Sequence, residues 1–314
     1  MSKALQIIHD IAEMKVRGAH LIAQTALEAL MMRARELALE GAEVCRTGVL
    51  AAADQLTAAQ PSMAGVENAC AFVVAPLRAG ETEGWSARQI EGMIAVRAAI
   101  FRERFQAAQE AVVRTGATLI RDGSTVFVHS YSGTLLAILQ MAWEEGKRFA
   151  VVGTESRPYG EGRVLASALL KHGVPYTLIT DAAIVHTLPR ADLALVGVDT
   201  FLATGAVVNK MGTLSLALAC RYHAKPLYAA GSSFKFSVAS QRGEAVGLKT
   251  RPDDAGIAPP ELADDPRLTV ENYFFEIIPG RFFEGVITEY GIRPPFAMLD
   301  LWAQTQAALA EDTP

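Results

Sequence analysis

Cysteine is scarce in this chain, and the three present, Cys45, Cys70 and Cys220, are odd in number and irregularly spaced. That supports neither a disulfide framework nor a zinc knuckle, so three small packed side chains in a reducing compartment are expected and no metal. Long hydrophobic runs are missing as well: the apolar stretches break off before the roughly 18 residues that suggest a membrane span. The opening Met1-Ser-Lys-Ala-Leu-Gln-Ile-Ile-His-Asp10 lacks the basic, apolar, small-residue order of a signal peptide, because Asp10 and Glu13 arrive too early. A cytoplasmic address without a membrane partner is the expectation. A net charge of -5 argues against a general nucleic-acid binder, which needs a basic face to neutralise phosphates, and leaves room only for a local basic pocket. No Gly-x-Gly-x-x-Gly follows a strand, which disfavours a dinucleotide. There is no internal repeat.

What is present is a large apolar fraction, 51% of 314 residues, enough to bury the core of one large domain or two. Residues 1 to about 115 read as helical, with Ile8, Ile11, Ile22, Ala23, Ala26, Leu27 and Leu30 at helical spacing. A long helix from about Ile90 to Thr115 carries Ile94, Ile100, Phe101, Phe105, Ala108 and Val112 in the same rhythm. The boundary is expected near residue 116, dividing a helical domain (1–115) from a second domain (116–314), with the long helix as connector.

The second part has a repeating grammar. Asp122-Gly-Ser-Thr-Val-Phe-Val-His129-Ser130-Tyr131-Ser132-Gly133 is an apolar β-type segment that stops at a cluster of hydroxyls and opens a helix. Phe149–Thr154 runs into Glu155, Tyr176–Thr180 into Asp181, Leu193–Val198 into Asp199, and Pro226–Gly231 into Ser232-Ser233-Phe234-Lys235. Helix-period stretches at Thr134–Glu145, Glu161–His172 and Gly212–His223 suit crossovers between them. Nearly continuous apolar strands are buried on both faces, the habit of a parallel sheet, so the fold class is α/β. Ligands bind outside the carboxyl ends of such strands, and Ser130, Glu155, Asp181, Asp199 and Lys235 are expected to share one rim. From Ser237 to Thr269 the chain is polar and turn-rich, expected to be a lid or a partner-facing loop. Asn272–Ile278 is expected as a final strand and Phe296–Leu309 as a closing helix.

Several residues there have chemistry to offer. Met14-Lys15-Val16-Arg17-Gly18-Ala19 joins a cation, a glycine and fresh helix amides at a helix junction, which suits a phosphate; a plain glycine turn with a solvated arginine is the alternative. Asp199 follows a strand and precedes Asn209, Lys210 and Gly212, so it reads either as a buried general acid with Asn209 and Lys210 binding an oxyanion, or as a cap or ion pair with Lys210. No Gly-x-Ser-x-Gly elbow surrounds Ser130; phosphate or sugar hydrogen bonding suits Ser130, Ser132 and the amides around Gly133. His129 alternates to the other strand face and reads as a satisfied core histidine. Asp181 either caps the helix that starts at Ala182 or takes part in catalysis.

Thr154-Glu-Ser-Arg-Pro158, Gly197-Val-Asp199, Asn209-Lys-Met-Gly-Thr213 and Ser233-Phe-Lys-Phe236 together resemble one family. It comprises the ribose-1,5-bisphosphate and methylthioribose-1-phosphate isomerases and the alpha, beta and delta regulatory subunits of translation initiation factor two-B. The likeness runs from Met14 to Gly291. It implies a helical N-terminal domain on a Rossmann-like domain, a sugar-phosphate pocket between the two, and homodimers or larger oligomers, with no cofactor. In the isomerases a cysteine after the strand-end histidine and the aspartate matching Asp199 carry the chemistry. The cysteine position is Ser130, a far weaker acid. Gln60-Pro61-Ser62 stands where the isomerases usually have Arg-Pro-Thr. His129-Ser-Tyr-Ser132 and Ser233-Phe-Lys-Phe236 look more like the alpha subunit, whereas the regulatory subunits generally lack the aspartate retained here.

Two functions follow from that resemblance. One is an isomerase of an aldose 1-phosphate, with Asp199 in acid/base work, Ser130 assisting, and Arg17, Gly18, Ala19, Ser132, Gly133, Glu155, Arg157, Asn209, Lys210 and Lys235 around the substrate and its phosphates. The other is a non-catalytic sensor of a phosphorylated sugar or nucleotide that acts through assembly.

Overall fold

The structure of the chain, a computed structural model, describes residues 2–13, 15–16, 18–248, 250–251, 257–263 and 265–312. The helices are α1 (Lys3–Ala12), α2 (Ala19–Leu37), α3 (Ala42–Ala59), α4 (Ala64–Arg78), α5 (Ala87–Thr118), α6 (Gly133–Glu144), α7 (Glu161–Lys171), the short α8 (Ile184–Thr187), α9 (Thr213–Tyr222), the short α10 (Val238–Gln241) and α11 (Met298–Glu311). The strands are β1 (Thr125–His129), β2 (Ala150–Thr154), β3 (Tyr176–Ile179), β4 (Leu193–Gly197), β5 (Thr200–Phe201), β6 (Val207–Lys210), β7 (Leu227–Ala230), β8 (Thr250–Arg251), β9 (Asn272–Tyr273), β10 (Phe275–Ile278), β11 (Gly285–Thr288) and β12 (Gly291–Arg293). The three crossover helices lie within a residue or two of their expected positions.

The chain forms two units. The first contains residues 1–108, 233–236 and 300–314. Its helices turn the expected apolar stripe inward: Ile22, Leu27, Leu30, Ile90, Ile94, Phe101 and Phe105 are fully buried, each contributing roughly 1.5–3 kcal/mol. Ser2 caps α1, its hydroxyl accepting from the Leu5 amide at 3.3 Å. Two segments expected in the second domain belong here instead. Phe234 packs edge-on to Phe101 at 5.1 Å, and Asn68 donates through Nδ2 to the carbonyls of Phe234 and Phe236, both at 2.8 Å. Trp302 of α11 stacks on Phe236, Thr305 bonds Ser233, and Arg104 pairs with Asp312. Aromatic packing, invisible to a boundary drawn from composition, assigns the closing helix to the helical unit, and α5 passes from one unit to the other after Ala108.

The second unit, residues 109–232 and 237–299, is built on a seven-stranded sheet in the order β12-β11-β7-β4-β1-β2-β3. Every pairing in it is parallel except β11 with β12. Helices α6 and α7 and the end of α5 bury Val112, Ile138, Leu139, Leu165 and Leu169, with Ile120 just after α5, against Val126, Val128 and Leu195 of the sheet. Burial on both faces holds for β4 throughout and for β1 and β2 after their first residue, but β3 is an edge strand with Leu178 46% exposed.

Residues 272–278 are a different kind of element from the expected final strand. They split into β9 and β10, which pair with β8 and β6 in two small sheets, and β11 and β12 follow them. Between residues 237 and 269 the described residues hold only α10, β8 and one turn at Pro260–Leu262.

Candidate functional site

In the second unit the carboxyl ends of β1, β2, β3 and β4 bring Ser130, Glu155, Asp181 and Asp199 to one rim. Ser130 adopts φ +67°, a left-handed conformation costly for a residue with a side chain, and is buried. Ser132 caps α6, its hydroxyl accepting from the Leu135 amide at 3.4 Å, and lies so close to Gly197 of β4 that a Cβ there would stand 2.8 Å from its Oγ. Glu155 pairs with Arg163. Asp181 does not cap the helical turn it begins: its carboxylate reaches across to the turn after β2 and accepts the amides of Ser156 at 2.8 Å and Arg157 at 2.7 Å, which satisfies two donors of that turn.

Asp199 lies between β4 and β5, and its amide donates to the Val208 carbonyl of β6 at 3.0 Å. The antiparallel ladders pair Thr200 with Val208 and Asn209 with Glu276, so Asp199 and Thr200 both face Val208, the residue before Asn209. Asn209 donates to the Thr213 hydroxyl at 3.3 Å. Lys210 is buried, pairs with Glu161 at 2.7 Å, and has its ammonium 3.2 Å from the centre of the Phe274 ring. The second carboxylate oxygen of Glu161 is buried without a hydrogen bond. Glu276 accepts the Gly212 amide at 2.7 Å and the Leu214 amide at 2.9 Å, so the start of α9 already holds a carboxylate; burial raises its pKa above the usual range, and these amides partly offset that. His129 is 1% exposed, with Nδ1 2.7 Å from the Thr154 hydroxyl and Nε2 2.8 Å from the Met211 carbonyl. It is a satisfied buried histidine, as its strand position implied.

The first unit holds the other expected phosphate residues. Gly18 begins α2 at φ +92° without a side-chain cap, and Ala19 is the first helical residue; Arg17 lies outside the described residues. Lys235 is buried against Gly65. His20 has Nε2 3.2 Å from Gln106 Oε1, while its Nδ1 is buried without a hydrogen-bond partner. Burial, aided by the Lys235 charge, pushes its pKa down to about 4. Gln60, in place of the isomerases' arginine, is buried and donates to the Ile11 carbonyl at 2.7 Å.

Sequence reasoning gave no role to Glu161 or Glu276, and named Thr154 and Ser156 only as parts of the Thr154–Pro158 motif. Glu161 opens α7 six residues after the Glu155 strand end, a spacing that hints at the same rim; Glu276 gave no local signal. Among the described residues no group of three or more His, Cys, Asp or Glu is arranged to hold a metal. Burial lifts the Cys70 and Cys220 thiols to about 12, which leaves them unreactive.

Residues 15–295 match the model of the initiation factor 2 subunit family. The chain belongs to the initiation factor 2 subunit family. Within this family it is 33% identical over 300 residues to a ribose 1,5-bisphosphate isomerase of Haloterrigena turkmenica, covering 93% of this chain and 90% of that one. It is also 33% identical over 300 residues to a putative translation initiation factor eIF-2B subunit 2-like protein of Pyrococcus furiosus, covering 95% and 99%. The crystal structure of the Pyrococcus horikoshii translation initiation factor eIF-2B superimposes with a TM-score of 0.81 at 31% identity, covering 94% of this chain and 98% of that one. Both branches of the family therefore resemble the chain over nearly its whole length, and the rim residues must carry the choice between them.

Proposed function

We propose that this chain is a sugar-phosphate isomerase that converts an aldose 1-phosphate of the ribose 1,5-bisphosphate type into a ketose phosphate by proton transfer. The observation that carries the reading is Asp199 just beyond β4, its amide on the Val208 carbonyl next to Asn209, on the sheet edge where β1 ends at Ser130. The similarity to a ribose 1,5-bisphosphate isomerase supports the substrate class.

A 1-phosphorylated aldose is locked as a ring. In the proposed reaction Asp199 gives a proton to the ring oxygen as the bond from that oxygen to C1 breaks, and the carboxylate then takes the C2 proton, leaving an enol with a C1–C2 double bond. Loss of the enol hydroxyl proton makes the C2 carbonyl while C1 gains a proton, so the product is an isomer and nothing is consumed. Ser130 orients the sugar by hydrogen bonding. Arg17, the Gly18 and Ala19 amides and Lys235 are assigned to phosphate. Ser132, Gly133, Glu155, Arg157, Asn209 and Lys210 are assigned to the sugar and its second phosphate, with Lys210 fixed by Glu161. The acting species is proposed to be a homodimer or larger homo-oligomer, in the cytoplasm.

Phosphorus NMR of the pure protein with pentose 1-phosphates and 1,5-bisphosphates tests this. A new ketose phosphate, with deuterium entering C1 in heavy water, is expected. A second reading, a sensor that binds such a ligand without turnover, is favoured by Ser130 in the cysteine position and by Gln60, and binding without any product would select it.

A further inference from the structure

The hydrogen bonds around His129 can be given a direction. A carbonyl only accepts, so the 2.8 Å contact with Met211 requires the proton on Nε2. Burial lowers the ring's affinity for a second proton, so Nδ1 is an acceptor and the Thr154 hydroxyl donates to it at 2.7 Å. The Thr154 oxygen, 3.0 Å from the Ser156 hydroxyl, then accepts from it. Ser156 is itself held in a left-handed conformation, φ +59°, with its amide on Asp181. One ordered chain thus runs from Ser156 through Thr154 and His129 to Met211.

Two members of that chain adjoin the rim. His129 immediately precedes Ser130, whose backbone is strained. Met211 immediately follows Asn209 and Lys210, and the next residue, Gly212, has φ +102° with no room for a side chain: a Cβ there would lie 2.7 Å from the imidazole Cε1. Glu276 holds the Gly212 amide from the other side. The Met211–Gly212 junction is therefore clamped between an imidazole and a carboxylate.

We propose that His129 is the positioning residue of the rim: its Nε2–H bond to Met211 fixes Asn209 and Lys210 relative to Ser130, beyond any part it has in filling the core. What the rim binds rests on the isomerase reading; the clamp itself does not.

Two substitutions each retain one half of the imidazole. His129→Gln reaches as far as Nε2 and donates to Met211; His129→Asn reaches only the Nδ1 position and accepts from Thr154. Relative to His129→Gln, His129→Asn is expected to speed amide exchange at residues 212–214 about tenfold and to weaken ribose 1,5-bisphosphate binding about five- to tenfold, at matched unfolding midpoints. Nitrogen-15 histidine NMR of the unsubstituted protein should show the Nε2–H tautomer. An Nδ1–H tautomer, or equal exchange in the two variants, overturns the clamp. If neither variant nor the parent binds the bisphosphate while the exchange difference stands, the isomerase reading fails and the clamp survives.

Discussion

A hydroxyl at position 130 is a far weaker acid than the thiol it replaces, so in the proposed reaction Asp199 bears the proton transfers. Asp199→Asn keeps the shape and cannot cycle a proton; turnover should vanish while the ligand dissociation constant stays within a few-fold, measured by calorimetry beside the phosphorus NMR assay. Ser130→Cys should raise turnover, and product formation that persists in Asp199→Asn would remove Asp199 from the chemistry. His20 carries a pH prediction. Its folded pKa of about 4 lies below its ordinary 6.5, so the folded state binds fewer protons than the unfolded one across that window; stability is retained above pH 6.5 and lost as pH falls toward 4. His20→Gln should lose about 1 kcal/mol less than the parent between pH 7 and pH 5, after discounting for the ring's partial exposure, as read from urea midpoints at the two values. At this scale the sequence was legible where a residue ends a strand, as Ser130, Glu155 and Asp199 do. It was silent on Glu161 and Glu276, whose roles depend on partners 49 and 62 to 64 residues away.

Elements were more legible than residues, because periodicity records burial. The α6, α7 and α9 crossovers and the apolar β1, β2 and β4 each bury a face their sequence displays. The edge strand β3 reads the same way and yet has exposed residues, since a short apolar run does not say how many neighbours a strand has. The segment 272–278 was readable as extended but not as two pieces, for its partners β6 and β8 are distant in sequence. The turn at Ser233–Lys235 was legible only as a motif; what fixes it is Asn68 of α4, whose amide satisfies two buried carbonyls. Asn68→Ala leaves both without this donor, and a loss of about 2–4 kcal/mol is expected from urea unfolding. Lys235 lies between those two carbonyls in sequence, so phosphate affinity should fall with it; a variant as stable as the parent would show the turn to be held by the aromatic packing of Phe234 alone.

Over the whole molecule, the second unit leaves large apolar side chains uncovered near the end of its last strands. Phe296 is 65% exposed, Ile277 40% and Ile292 39%, and Phe296 stands beside Gly205, so close that a Cβ on that glycine would meet its ring at 2.8 Å. Single exposed apolar residues are ordinary; of these three Phe296, the largest and most exposed, is the one suited to anchor an interface with another chain. A second copy of this chain is the simplest occupant, since most oligomers of soluble proteins are symmetric pairs or multiples of pairs, and a stable pair hides roughly 800 Å² on each partner. Sedimentation equilibrium at micromolar concentration is expected to show a dimer or a multiple of it. If Phe296 anchors that pair, Phe296→Asp should weaken association about tenfold or more while leaving the unfolding midpoint of the separated chain unchanged. A monomeric parent rules out self-association. An oligomer that Phe296→Asp leaves intact moves the interface to another face of the molecule.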